Sequence, residues 1–133
     1  MRFNLDKAMG LHETALYVRA KRSSVISSNL ANSDTPGYQA RDIDFKSVLR
    51  TAAGMQSSGS LTTTRAKHIQ PGGYDARSAA LLYRQPWQPS IDGNTVDAQI
   101  EKAKFAENAM QYQTTLSFLT GKFKGLTKAL KGE

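Results

Sequence analysis

No cysteine occurs in the 133-residue chain, which excludes a disulfide framework and a thiolate site and leaves the redox compartment open. Hydrophobic residues make up 39% and aromatic ones 8%, so the length admits one domain but not a generous core. No apolar run approaches the length of a membrane span, and the amino-terminal stretch is broken by Asp6, Lys7, His12 and Glu13. Neither a cleaved Sec-type signal nor direct membrane insertion is expected. The two histidines, His12 and His68, stand far apart without ligand spacing, so no metal site is expected. Gly72 and Gly73 are not followed by the Gly-Lys-Ser/Thr of a phosphate loop. Ser23, Ser24, Ser27 and Ser28 have neither a neighbouring base nor a G-x-S-x-G elbow. The expectation is no catalytic residue, no cofactor and no metal.

What is present begins with charge. The net charge is +7, which permits attraction to nucleic acid, anionic lipid headgroups or an acidic protein, but basic residues are spread evenly along the chain. That spread is the weak form of a nucleic-acid signal. Tyr83, Arg84 and Trp87 adjoin as residues of a single-strand stacking platform would, although packing of the aromatics against the helices is the favoured reading. A small basic nucleic-acid-binding protein is therefore the alternative from a different class, and a binding assay across a salt series separates it. No nucleic acid is expected among the partners.

The apolar residues gather at the two ends. Leu5, Ala8, Leu11, Ala15, Val18, Arg22, Val25 and Asn29 step by three and four, predicting a helix over 5–31 with a wide, impure stripe. At about 1.5 Å per residue it spans roughly 40 Å, more than a small core covers, so it needs an equally long partner. Residues 95–131 supply one: Phe105, Ala109, Tyr112, Leu116, Leu119, Phe123, Leu126 and Leu130 alternate by four and three as a coiled-coil seam. A second stripe, Val96, Ile100, Ala103, Ala106 and Met110, runs on a neighbouring face. Asp92, Gly93, Asn94 and Thr95 offer turn formers and an N-cap, with Asp97 in the first turn and lysines in the last.

Between these helices, SNLANSDTPGYQARDIDF (28–45) stops the first helix and starts an extended segment. Asn32, Ser33 and Asp34 compete for backbone hydrogen bonds, Thr35 before Pro36 is pushed out of the α region, and Gly37 supplies the positive φ of a type II turn. Ile43 and Phe45 alternate with Asp42 and Asp44, predicting a short strand or ledge whose two acids share a solvated, salt-bridged face. Residues 50–60 and 70–78 have loop composition. Leu61–Thr64 and Ala80–Arg84 are expected as two short strands, followed by an extended Pro86 to Pro89.

The fold class expected is mainly α: two long terminal helices pairing as an antiparallel coiled coil, joined by an extended segment and a small β-hairpin or loop region. The chain divides into a helix over 1–34, a ledge and hairpin over 35–94 and a heptad helix over 95–133. Two such helices around a small middle cannot bury both seams within one monomer, so lateral neighbours are expected to complete the burial.

Three segments taken in order, Asn29 to Phe45, Ile91 to Asp97, and the run holding Glu107, Tyr112, Gln113, Gly121, Lys122, Lys124 and Gly125, resemble the flagellar basal-body rod proteins. The DTPGYQARDIDF wording and the short length are similar to the proximal-rod branch, and another axial protein, such as a different proximal rod subunit, is the alternative within the same class. The resemblance implies a structural subunit that is not an enzyme, exported unfolded by the flagellar type III apparatus without a cleaved signal. It implies helical assembly, with terminal helices lining a hollow rod in the basal body that spans the periplasm. The partners implied are further copies, other rod proteins, the adaptor protein joining the rod to the MS ring, and the export gate.

The assembly interface is expected on three parts of the chain. Leu11, Ala15, Val18, Val25 and Asn29 contribute from the first helix. The turn and ledge contribute Asn32, Thr35, Pro36, Gly37 and Tyr38, then Asp42, Ile43 and Phe45. Phe105, Tyr112, Leu116, Leu119, Phe123 and Leu126 contribute from the seam.

Overall fold

The structure, a computed structural model, describes residues 5–57, 79–86, 88 and 90–132. In chain order it contains helix α1 (Leu5–Ala31), strand β1 (Arg41–Asp42), helix α2 (Phe45–Ser57), strand β2 (Leu82–Tyr83) and helix α3 (Ala98–Lys131). The mainly helical class with long antiparallel terminal helices is borne out: Asn29 of α1 meets Glu101 of α3, while Arg19 meets Gln111 further along.

α1 covers the residues that periodicity assigned to it and stops at the predicted place. The Asn32 N–H reaches back to the Ser28 and Asn29 carbonyls at 3.2 and 3.1 Å, and the Asn32 side chain donates to the Ser28 carbonyl at 2.8 Å. Competing bonds of this kind end a helix by satisfying its last carbonyls. α3 begins slightly later than expected because Asp97 is itself the N-cap, accepting the Gln99 and Ile100 N–H groups at 2.9 and 3.2 Å. Gly132, at φ 75°, closes its far end with an N–H bond to the Lys128 carbonyl.

The ledge differs from expectation. β1 lies at Arg41–Asp42 and pairs antiparallel with β2, in register Arg41↔Tyr83 and Asp42↔Leu82. Phe45 does not continue it but opens α2, which runs through residues whose composition from 50 onward is that of a loop. Asp44 makes the difference: its carboxylate accepts the Ser47 N–H and its carbonyl the Val48 N–H, both at 3.1 Å. Phe45, Val48, Leu49 and Ala52 then follow helical spacing. The strand expected at Leu61–Thr64 lies outside the described residues, as does Trp87.

The core is small, as composition required. Val18, Ile43, Val48 and Ala79 form a buried cluster with Val25 and Phe45 packed against it, so one face of α1 meets the ledge and α2. Each fully buried Val or Ile contributes about 1.5–3 kcal/mol. The α1–α3 contact has a different character. Glu101 and Asn108 are the α3 residues buried against α1, with Lys104, Gln111 and Thr115 half-buried beside them. The coiled-coil seam lies roughly a fifth of a turn around the helix. Leu119 and Leu126 are half-buried, while Phe105, Tyr112, Leu116 and Phe123 remain 36–48% exposed.

Candidate functional site: a polar clamp beneath an apolar flank

The turn after α1 is built from two distant pieces of chain. Thr35, Pro36, Gly37 and Tyr38 form a tight turn closed by the Tyr38 N–H to Thr35 carbonyl bond at 3.2 Å, with Gly37 at φ 72° as the type II geometry requires. Asn94 then reaches across. Its buried side-chain amide donates to the Asn32, Ser33 and Thr35 carbonyls at 3.1, 2.7 and 3.0 Å. The backbones also pair, Gly37 N–H to Asp92 carbonyl at 2.9 Å and Thr95 N–H to Tyr38 carbonyl at 3.0 Å, while the Thr95 hydroxyl accepts the Ala40 N–H at 2.7 Å. Gly93, at φ 74°, lies close enough that a Cβ there would be 3.8 Å from Gly37 Cα. The DTPGY and DGNT segments are thus one structural unit.

Below this unit lies a chain of polar contacts joining every layer. Asn29 is 0% exposed. Its amide nitrogen donates to the Arg41 carbonyl at 2.7 Å and to Glu101 Oε2 at 3.0 Å, while its oxygen accepts the Arg41 N–H at 3.1 Å. Glu101, 1% exposed, also accepts from Arg84. Arg84 donates to Asp42 Oδ2 at 3.0 Å, and Arg22 grips the same carboxylate with two bonds, at 2.8 Å to Oδ1 and 3.0 Å to Oδ2. Further along, Asn108 donates to the Arg19 carbonyl at 2.9 Å and to the Ser23 hydroxyl at 2.7 Å. Arg19 also lies over the Phe45 ring, 4.0 Å from its centroid.

The electrostatics follow from this packing. Burial alone would raise the pKa of Asp42, but the Arg22 hydrogen bonds and charge, the Ile43 N–H and the Arg84 charge outweigh it and leave the carboxyl below its ordinary range. Arg22 is raised, chiefly by its hydrogen bonds to Asp42 against the cost of burial. Lys104 is lowered by burial and by the nearby Arg84 charge, despite the attraction of Asp42 and Glu101. The acid pair expected on one solvated face therefore separates: Asp42 is a mostly buried ion-pair hub, whereas Asp44 is exposed and caps α2.

The expected interface residues fall into two sets. Val18, Asn29 and Ile43 are at most 2% exposed and Ala15 is buried as well, so in this structure they act from inside the chain and offer no surface to a neighbour. Leu11, Val25, Asn32, Tyr38, Asp42 and Phe45 are half-buried; Thr35, Pro36 and Gly37 lie exposed on the turn. The seam residues Phe105, Tyr112, Leu116 and Phe123 form an exposed flank, with Leu119 and Leu126 half-buried at its edge. Sequence reasoning missed Arg22, Arg84, Asn94, Glu101 and Asn108 as structural anchors. A signal existed in two polar rows, Arg22 and Asn29 inside the apolar stripe of α1, and Glu101, Asn108 and Thr115 at heptad spacing on α3. Arg84, held by two carboxylates, faces inward and does not join Tyr83 in a stacking platform.

Long antiparallel helices, a turn locked by a distant loop and an uncovered apolar flank define a helical module suited to association. No helix among the described residues is long and apolar enough to cross a membrane. Residues 9–39 match the family described as flagella basal body rod protein. Flagellar basal body rod protein FlgB of Aeromonas hydrophila is 50% identical over 135 residues, covering 100% of this chain and 99% of that protein. FlgB of Escherichia coli K12 is 46% identical, covering 96% and 95%, and FlgB of Salmonella typhimurium LT2 is 44% identical, covering 96% of each. The chain belongs to the flagellar basal body rod protein family.

Proposed function

We propose that the chain is a structural subunit of the proximal rod of the bacterial flagellar basal body, without catalytic activity. It is exported through the flagellar type III apparatus and assembles helically in the periplasm, with α1 and α3 forming the inner layer. Its neighbours are further copies, other rod proteins, the adaptor to the MS ring, and the export gate. The observation that carries this reading is the exposed flank of Phe105, Tyr112, Leu116 and Phe123, which keeps coiled-coil spacing although α3 turns its polar row to α1. An apolar stripe of that length is covered by lateral neighbours in an assembly.

The test is a chromosomal Leu119→Asp or Leu116→Asp strain, scored for swimming and for recovered rods. A charge in the flank is expected to abolish both while the purified variant stays helical. Normal swimming would overturn the assignment of the flank to assembly.

A further inference from the structure

Lysines and arginines are spread evenly along the sequence, yet the fold sorts charge by end. At the turn end, segments 31–40 and 90–100 contain the exposed acids Asp34, Asp92 and Asp97 and no lysine or arginine. Asp34 and Asp92 are exposed and share one surface, because Asn94 bonds the carbonyls flanking Asp34 while the Asp92 carbonyl accepts the Gly37 N–H. Ile91, beside Asp92, is fully exposed there.

The opposite end carries the other sign along α3, while the start of α1 beside it brings Asp6 and Glu13. Residues 108–132 contain Lys122, Lys124, Lys128 and Lys131 and no acid. Lys124, Lys128 and Lys131 recur by four and three along one flank of α3, and Phe123, Leu126 and Leu130 along the next. Leu130 is 88% exposed. From Glu101 to Lys131, α3 is longer than α1 is from Asn29 back to Leu5, so the last α3 turn stands beyond the described part of α1. Ile91 and Leu130 are the two most exposed large apolar side chains among the described residues; Ile91 adjoins Asp92 in the chain, and Leu130 lies between Lys128 and Lys131.

We propose that the Leu130 end of one copy docks on the Ile91 turn of a second copy, head to tail, with its lysines facing Asp34 and Asp92. The two surfaces lie at opposite ends of α3, which at about 1.5 Å per residue is roughly 50 Å long, so one chain cannot close on itself. Like ends repel, which disfavours a symmetric dimer through either one. A heterologous contact that does not close generates a helix, and it adds an end-to-end contact to the flank contact of the self-assembling subunit proposed above, on which it rests.

The cysteine-free chain allows a direct test. Full-length Ile91→Cys and Leu130→Cys proteins, one carrying a size tag, are mixed at low salt under mild oxidation. The mixed disulfide is expected to form on the order of tenfold faster than either self-disulfide, and to lose that advantage at about 0.5 M salt. Lys128→Glu with Lys131→Glu in the Leu130→Cys chain is expected to slow it. Asp34→Lys in the other chain is expected to restore it. Asp34 is chosen because the Asp92 carboxylate accepts the Asn94 N–H at 3.1 Å and shapes the turn. Equal mixed and self rates, or indifference to charge reversal, would overturn the proposal. If Leu116→Cys chains crosslink to each other in conditions where the mixed pair does not form, the end contact is overturned while assembly through the flank stands.

Discussion

The side-chain amide of Asn29 pairs with the backbone of Arg41 as a neighbouring strand would, donating to its carbonyl at 2.7 Å and accepting its N–H at 3.1 Å. One residue of α1 thereby seals one edge of β1. The same amide nitrogen also bonds Glu101, so helix, strand and second helix meet at a single group.

Asn29→Asp replaces that donor with a carboxylate facing both Glu101 and the Arg41 carbonyl. The variant should lose about 3 kcal/mol or more at neutral pH, because a buried donor disappears and two like charges meet. Asn29→Ala should lose less, about 2 kcal/mol. Urea unfolding of both variants measures the difference; equal stability with the unsubstituted chain would show that the pairing contributes nothing.

The Asp42 hub makes stability depend on pH. Its carboxyl is held below the ordinary value of about 3.9, so its contribution is fully present above that value and is lost as pH falls through the folded-state pKa. Stability should therefore drop between about pH 4 and more acidic conditions. Asp42→Asn should weaken this dependence while lowering stability at pH 7, since Arg22 and Arg84 lose their shared counter-charge. Denaturation midpoints at pH 7 and pH 3 check both parts, and an unchanged difference between them would exclude Asp42 as a source.

The limits of α1 were legible because its periodicity and its stop signals agree over many residues. α2 was not, since Ile43 and Phe45 fit a strand or a helix start equally well and only the Asp44 cap decides. The helix pairing was legible, but which face of α3 turns to α1 was not. That choice depends on Arg84 and Asn29 arriving from elsewhere to satisfy Glu101, and no local period encodes it. Asn94 has only a turn former's signature in the sequence; its three carbonyl partners lie some 60 positions earlier in the chain and leave no spacing signal.

Glycines at two places should respond oppositely to alanine. Gly37 sits at φ 72° with open space around it, so Gly37→Ala costs backbone strain alone, about 1–2 kcal/mol. Gly121 and Gly125 are helical and a Cβ at either would meet nothing within 4 Å, so alanine should stabilise the isolated chain by up to about 1 kcal/mol each. Thermal unfolding of the three single variants gives the sign directly. Destabilisation by Gly121→Ala would mean that the last turns of α3 pack more closely than this structure shows.

Asn94 is the most economical place to separate the turn from the rest of the fold. Asn94→Ala leaves the Asn32, Ser33 and Thr35 carbonyls without their shared donor, and Val96 N–H without the Asn94 Oδ1 acceptor at 2.8 Å. At about 1 kcal/mol net per hydrogen bond, with part of the loss recovered by water at exposed Thr35, the expected cost is about 2 kcal/mol. The damage should be local, because the core cluster of Val18, Ile43, Val48 and Ala79 includes no residue of this loop. Amide hydrogen exchange should accordingly quicken at Gly37, Tyr38 and Thr95, whose N–H groups bond within or across the unit, while the middle of α1 stays protected. Uniform loss of protection along α1 would instead make the turn part of the same cooperative unit as the helix pair.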